Sequence, residues 1–241
     1  MTSNDPACLF LSDVHLSPDQ PAKTERFVAF LRDVAGRIDA LYILGDLFDY
    51  WIGPQHVGMP DYRAILGAFR AHADRGLRIA FVPGNRDYKV GPELARATRM
   101  EILPARADLR LGGRRVRLEH GDFLFNRNPR YTAYRRIAGA RGARRLWAGI
   151  PTSLAFWIAS GVRAVSRKDT PKAPFRTDAD LLGAARPAFG QGVDVLVCGH
   201  LHRAADLRAE VDGRGRRLIV LGEWEPERNY ARYEKGEFRL I

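Results

Sequence analysis

Five short apolar runs in this 241-residue chain stop abruptly and hand over to a carboxylate, an amide or an imidazole. Leu9, Phe10 and Leu11 lead to Asp13 and His15. "LYILGDLFD" sets Asp46 behind Gly45, and "IAFVPGNRD" sets Asn85 behind Gly84. "VRLEHGD" delivers His120, and "VLVCGHLHR" delivers His200 and His202. A short apolar run bounded by turn residues reads as a buried strand. In α/β sheets, functional groups collect outside the carboxyl ends of the strands. The pattern therefore predicts that Asp13, His15, Asp46, Asn85, His120, His200 and His202 meet at one edge of the molecule.

The runs predict strands at 7–11, 40–44, 77–82, 116–119 and 193–198. Helices are expected at 23–36, 61–76 and 92–98. Strand alternating with helix points to an α/β core. Two further strand-like stretches, 216–221 and 230–240, follow without a helix between them. Hydrophobic residues make up 46% of the chain, which supplies a core and excludes disorder by composition. A single domain over 1–241 is expected. The first residues lack the basic and apolar regions of a signal peptide. Cys8 and Cys198 each sit in an apolar run, so they read as buried thiols in a reducing cytoplasm.

The segment 123–176 breaks the alternation and reads as an inserted helical cap, with helical pieces at 131–140 and 146–165. Between 126 and 176 there are twelve Lys or Arg and one acid, Asp169, so this stretch carries the whole net charge of +11. Residues 146–162 carry no charge. That run is shorter than the roughly 20 residues a membrane span requires, and Pro151, Thr152, Ser153 and Ser160 interrupt it. A confined basic excess favours phosphate-rich partners. Here the cations interleave with aliphatic residues, where a nucleic-acid groove would want aromatic stacking platforms. An amphipathic phospholipid on an anionic membrane surface suits this composition better than nucleic acid.

Carboxylates, imidazoles and an amide oxygen without a thiolate suit Mn²⁺, Fe or Zn²⁺. Seven such groups are too many for one tetrahedral ion and fit two ions that share a carboxylate. Asp122 or Asp49 is expected to orient a ligating imidazole. His56 and His72 lie away from the strand ends and read as structural or surface residues. Trp51 and Trp224 follow strand ends, where they could wall the site or pack in the core.

The series "SDVH", "GDLFD", "GNRD", "HGD" and "GHLH" resembles, in order and spacing, the signature of the calcineurin-like metallophosphoesterases. The resemblance runs over nearly the whole chain. It implies a four-layer αββα sandwich and two divalent metal ions, Mn²⁺ in the first instance. By it, Asp13, His15, Asp46 and His202 hold one ion. Asp46, Asn85, His120 and His200 hold the other, with Asp46 shared. "ALYILGDLFDYWIG" and "GNRD" further resemble one branch, the UDP-2,3-diacylglucosamine pyrophosphohydrolases of lipid A biosynthesis. That likeness implies hydrolysis at the uridine-side phosphorus of the diphosphate, giving UMP and a 1-phosphosugar lipid. It implies an enzyme on the cytoplasmic face of the inner membrane, with the cap over the acyl chains. Asp46, Asn85, Arg86 and His120 would be the catalytic groups. Arg86, Tyr131, Arg163, Ser166, Lys168 and Lys172 would contact the substrate's polar head.

The chain departs from that branch after "HGD". Where the family has a cysteine and an acidic pair, this chain reads "FLFNRNPRY", with Arg127 and Asn128 at the acidic positions. The local charge is reversed, so a closely related lipid-linked nucleotide sugar stands beside the named substrate. The rival reading is a phosphodiesterase or nuclease of the same fold acting on nucleotides or nucleic acid.

Overall fold

The computed structural model describes residues 5–51, 53–126, 129–138 and 177–241. The first strand, β1 (Cys8–Leu11), is buried at every residue. It lies parallel to β2 (Ala40–Leu44), which lies parallel to β3 (Arg78–Val82). Short β4 (Glu101–Ile102) flanks β3, and the hairpin β10 (Ala231–Glu234) and β11 (Glu237–Leu240) flanks β1 on the other side. The second sheet runs in the order β5 (Arg106–Leu111), β6 (Arg114–Glu119), β7 (Val195–Cys198), β9 (Arg214–Val220) and β8 (Ala205–Val211).

Alternation within each strand builds the layers. Successive side chains point to opposite faces of a sheet. Leu9, Leu11, Leu41 and Ile43 pack against Phe27 and Leu31 of α1 (Pro21–Ala35), Ile65 and Phe69 of α2 (Arg63–Asp74) and Leu94 of α3 (Pro92–Thr98). Cys8, Phe10, Tyr42 and Leu44 point the other way and meet Val116, Leu118, Val195 and Val197 of the second sheet. Leu196, Cys198, Leu218 and Val220 then close on helix Asp178–Gly190 and on Phe125. The result is the expected αββα sandwich, with two-sided burial that explains why β1, β2 and β7 are apolar without interruption.

Several expectations are corrected in detail. The helix expected at 61–76 begins at Arg63, after two 3₁₀ turns at Pro54–Gly58 and Pro60–Tyr62. The stretch 230–240 is a hairpin and not one strand, because Lys235 and Gly236 both take positive φ and turn the chain. β5 and β8 were not anticipated: their outer residues are exposed and charged, so they lack the apolar run that marks the central strands. Of the segment 123–176 expected to form a cap, residues 123–126 and 129–138 are described. They form α4 (Asp122–Phe125) and α5 (Pro129–Ala138). The expected helical piece 146–165 lies outside the described residues. Both cysteines are free and buried. No helix among the described residues is long and apolar enough to cross a membrane.

Candidate metal centre

The carboxyl ends of β1, β2, β3, β6 and β7 open onto one place, and the seven expected side chains converge there. Two atom groups emerge. In the first, His202 Nε2 lies 3.4 Å and His15 Nε2 3.8 Å from Asp13 Oδ1. The two imidazole nitrogens are 3.2 Å apart. In the second, His120 Nε2 lies 2.9 Å from Asn85 Oδ1 and 3.6 Å from Asp46 Oδ1. The His200 ring meets the His120 ring edge-on, with centroids 5.0 Å apart. Asp13 belongs to both groups, since its carboxylate also converges with the Asp46 carboxylate and the His120 imidazole.

The backbone is bent to achieve this. Asp13, His15, Asp46, His200 and His202 all have positive φ, between 50° and 77°. Such a conformation costs an L-residue about 1–2 kcal/mol, and it concentrates at functional sites. Five of the seven converging residues carry that strain, which is an argument for function that no reading of spacing could supply. It also sends two imidazoles at i and i+2 to different partners, His200 to His120 and His202 to His15. His200 and His202 themselves, on either side of Leu201, supply the bend.

Hydrogen bonds then aim the groups. The N–H of His200 donates to Asp13 Oδ2 at 2.8 Å, which leaves Asp13 Oδ1 turned toward His15 and His202. His120 Nδ1–H donates to the Leu44 carbonyl at 2.9 Å. Its Nε2 is thereby aimed at two oxygens, Asn85 Oδ1 and Asp46 Oδ1. Asp46 Oδ1 accepts the N–H of Arg86 at 2.9 Å. Asp87 is fully buried and accepts from the N–H groups of Gly84 and Leu47, each at 2.8 Å, with those of Asp46 and Phe48 at 3.3 and 3.4 Å. It ties the β2 loop to the β3 loop. Asp87 is thus occupied by backbone N–H groups, and Arg86 pairs elsewhere, 3.1 Å from Asp49 and 3.6 Å from Asp46.

The electrostatics fit cation binding. Burial pushes the Asp46 carboxyl up to about 7. Burial would raise Asp13 as well, but its bond to His202 and the nearby imidazoles hold it well below the usual carboxylate range. Burial lowers His15 to about 3 and His200 to about 4, so both rings are neutral, with lone pairs available, near pH 7. Burial acts to lower His120 too, but Asp46, Asp13, Asp122 and the bond to Leu44 overcome it and push that ring up to about 9. His15 Nδ1 is buried without a hydrogen-bond partner, and Asp13 Oδ1 is met only at 3.4 and 3.8 Å by imidazole nitrogens. A buried polar atom left unpaired costs about 1–3 kcal/mol. An unpaired imidazole nitrogen and clustered carboxylates are what a divalent cation would satisfy, so the donor set fits the metal ions that the residues imply.

The remaining expected residues fall as follows. Tyr131 on α5 donates its hydroxyl to Asp122 Oδ2 at 3.0 Å, which connects α5 to the residue after His120 and Gly121. Asp122 also acts electrostatically on His120 and His200. Arg163, Ser166, Lys168 and Lys172 lie outside the described residues. His56 is buried and stacks on Trp51 with ring centroids 4.8 Å apart, and His72 lies in α2. Trp224 packs edge-on against Phe27 and Phe30. Trp51 and Trp224 are thus core residues. Asp87 and Glu223 escaped the sequence reading as parts of the centre. Asp87 closes the quoted "GNRD" and could have been suspected from it, whereas nothing in the sequence brings Glu223 to His202.

Comparison with known proteins agrees with this geometry. The calcineurin-like phosphoesterase profile matches residues 7–204. The UDP-2,3-diacylglucosamine hydrolase of Aeromonas salmonicida is 37% identical over 234 residues, covering 96% of this chain and 91% of that protein. The enzymes of the same name from Stenotrophomonas maltophilia and Pseudomonas aeruginosa are 35% and 38% identical. They cover 96% and 90% of this chain, and 96% and 90% of their own lengths. A match over most of the chain, a two-sheet sandwich and a cluster of carboxylate, amide and imidazole groups at its strand ends lead to one assignment: the chain belongs to the calcineurin-like phosphoesterase family.

Proposed function

We propose that this protein hydrolyses the diphosphate of UDP-2,3-diacylglucosamine, or of a closely related lipid-linked nucleotide sugar, to UMP and a 1-phosphosugar lipid. The carrying observation is the convergence of the seven groups in a chain whose relatives bear that enzyme's name over nearly their full length. Asp13, His15, Asp46 and His202 would hold one divalent ion, and Asp46, Asn85, His120 and His200 the other, with manganese the proposed native metal. When bound, the ions supply Lewis acidity toward phosphoryl oxygens.

The chain's own groups do the rest. Asp87 fixes the loops that carry Asp46 and Asn85. Arg86 stands at the rim with its side chain 32% exposed, tethered by Asp49, and can turn its guanidinium to phosphoryl oxygens as charge develops there. One water is consumed: its oxygen joins the uridine-side phosphorus as the bridging P–O bond breaks, and the lipid phosphate leaves. Tyr131, Arg163, Ser166, Lys168 and Lys172 are proposed contacts to the polar head. The cap, 123–176, would cover the acyl chains, and its cations would draw the protein to the anionic cytoplasmic face of the inner membrane, at about 1 kcal/mol per Lys or Arg.

The test compares Mn²⁺-dependent release of UMP from a diacylated UDP-glucosamine with release of nucleotides from DNA. UMP release that requires Mn²⁺ and is lost in Asp46→Ala supports the proposal. Faster turnover of DNA would replace it with the nuclease reading.

A further inference from the structure

Each ligating imidazole needs something at its other nitrogen to fix which one presents the lone pair. His120 has the Leu44 carbonyl. His202 is the more demanding case. It sits on strained backbone with φ 54°, and its side chain is 42% exposed, so packing does little to orient the ring. The carboxylate that reaches it comes from the loop after β9. Glu223 Oε2 lies 3.5 Å from His202 Nδ1.

Glu223 is held from three directions. Its other oxygen, Oε1, accepts from Lys23 Nζ at 3.1 Å. Lys23 belongs to the first turn of α1, and its side chain is only 9% exposed, an unusual position for a lysine without a purpose. The Glu223 carbonyl accepts from Asn229 Nδ2 at 2.7 Å. The next residue, Trp224, is fully buried in the core. A half-exposed carboxylate is thus mounted on rigid backbone and braced by a buried cation.

We infer that Glu223, braced by Lys23, is a positioning residue for His202: it accepts the Nδ1–H and turns Nε2 toward Asp13 and His15. The inference rests on the proposed metal centre and adds to it a route by which α1 and the C-terminal loop set the geometry of one ion's ligands. The consequence is selective. Losing the acceptor should loosen the ion held by Asp13, His15 and His202 and spare the one near Asn85, His120 and His200.

The test uses the full chain stripped of metal and titrated calorimetrically with Mn²⁺, together with nitrogen-15 shifts of the His202 ring in the metal-free state. Glu223→Leu should weaken one of two binding steps about 10–100-fold, the range for removing such partners, and should shift the ring away from the Nδ1–H form. Glu223→Gln keeps an acceptor oxygen and should restore both readouts to within about threefold. Urea unfolding of the metal-free variants shows whether the fold is retained. The inference is overturned if folded Glu223→Leu binds Mn²⁺ like the unaltered chain, or if Glu223→Gln is as weak as Glu223→Leu. If the unaltered chain binds no Mn²⁺, or Asp13→Asn changes nothing, the metal centre itself is refuted instead.

Discussion

Gly45 and Gly236 share one backbone conformation, with φ of 82° and 83°, in very different surroundings. A Cβ built on Gly236 meets nothing within 4 Å. A Cβ on Gly45 falls 2.6 Å from Gly84 Cα, 2.7 Å from Gly84 N and 2.7 Å from His120 Nδ1. The pair therefore separates backbone strain from crowding at the site. Gly236→Ala should cost only the left-handed penalty, about 1–2 kcal/mol. Gly45→Ala carries the same penalty plus overpacking of about 1–3 kcal/mol or more. The obstacles are main chain and a ring already bonded to Leu44, and neither can swing aside as a flexible side chain would. The total is about 2–5 kcal/mol. In a chain this long each kcal/mol moves the melting midpoint by about 2–4 °C. Urea unfolding of both variants without metal measures the difference directly. Equal losses would refute the claim that the β2 and β3 loops meet at van der Waals limit beneath His120. Gly45→Ala should also weaken Mn²⁺ binding, while Gly236→Ala should leave it unchanged.

Asp46→Asn should weaken both Mn²⁺ binding steps in calorimetry, because the two proposed ligand sets share Asp46; retention of one full-strength step would confine its role to one ion. Arg86→Ala should lower kcat/KM for the nucleotide-lipid about 10²–10³-fold, the scale for removing a preorganised charge donor, and Arg86→Lys should recover little of it, since a point charge cannot reproduce the guanidinium fork. Burial pushes the Cys8 thiol up to about 12 and Cys198 well above the ordinary thiol range, so neither should react with iodoacetamide in the native protein at pH 8, and both should react in denaturant. Binding to vesicles containing anionic lipid should be strong in low salt and lost in high salt; salt-independent binding would locate the attraction in the apolar run of the cap instead of its cations.

The α/β core and the seven converging groups were legible in the chain because both depend on local pattern, whereas the two-sheet sandwich followed only from the family resemblance. A strand buried on two faces must be apolar throughout, so β1, β2, β3 and β7 announce themselves, and a polar group that follows such a strand has to emerge at its end. Edge strands β5 and β8 carry no such mark, since one side of each faces water and charge is tolerated there. Their sole signals were the turns that follow or precede them, such as Asp212–Gly213 between β8 and β9. What tertiary structure alone decided is the aim of the groups: positive φ at five of the seven residues, Asp87 binding two loops together, Asp13 standing in both atom groups, and Lys23 meeting Glu223 across 200 residues of sequence. Composition and spacing record which side chains reach the edge of a sheet. The direction in which each lone pair points depends on hydrogen bonds between loops far apart in the chain, and no local pattern encodes those.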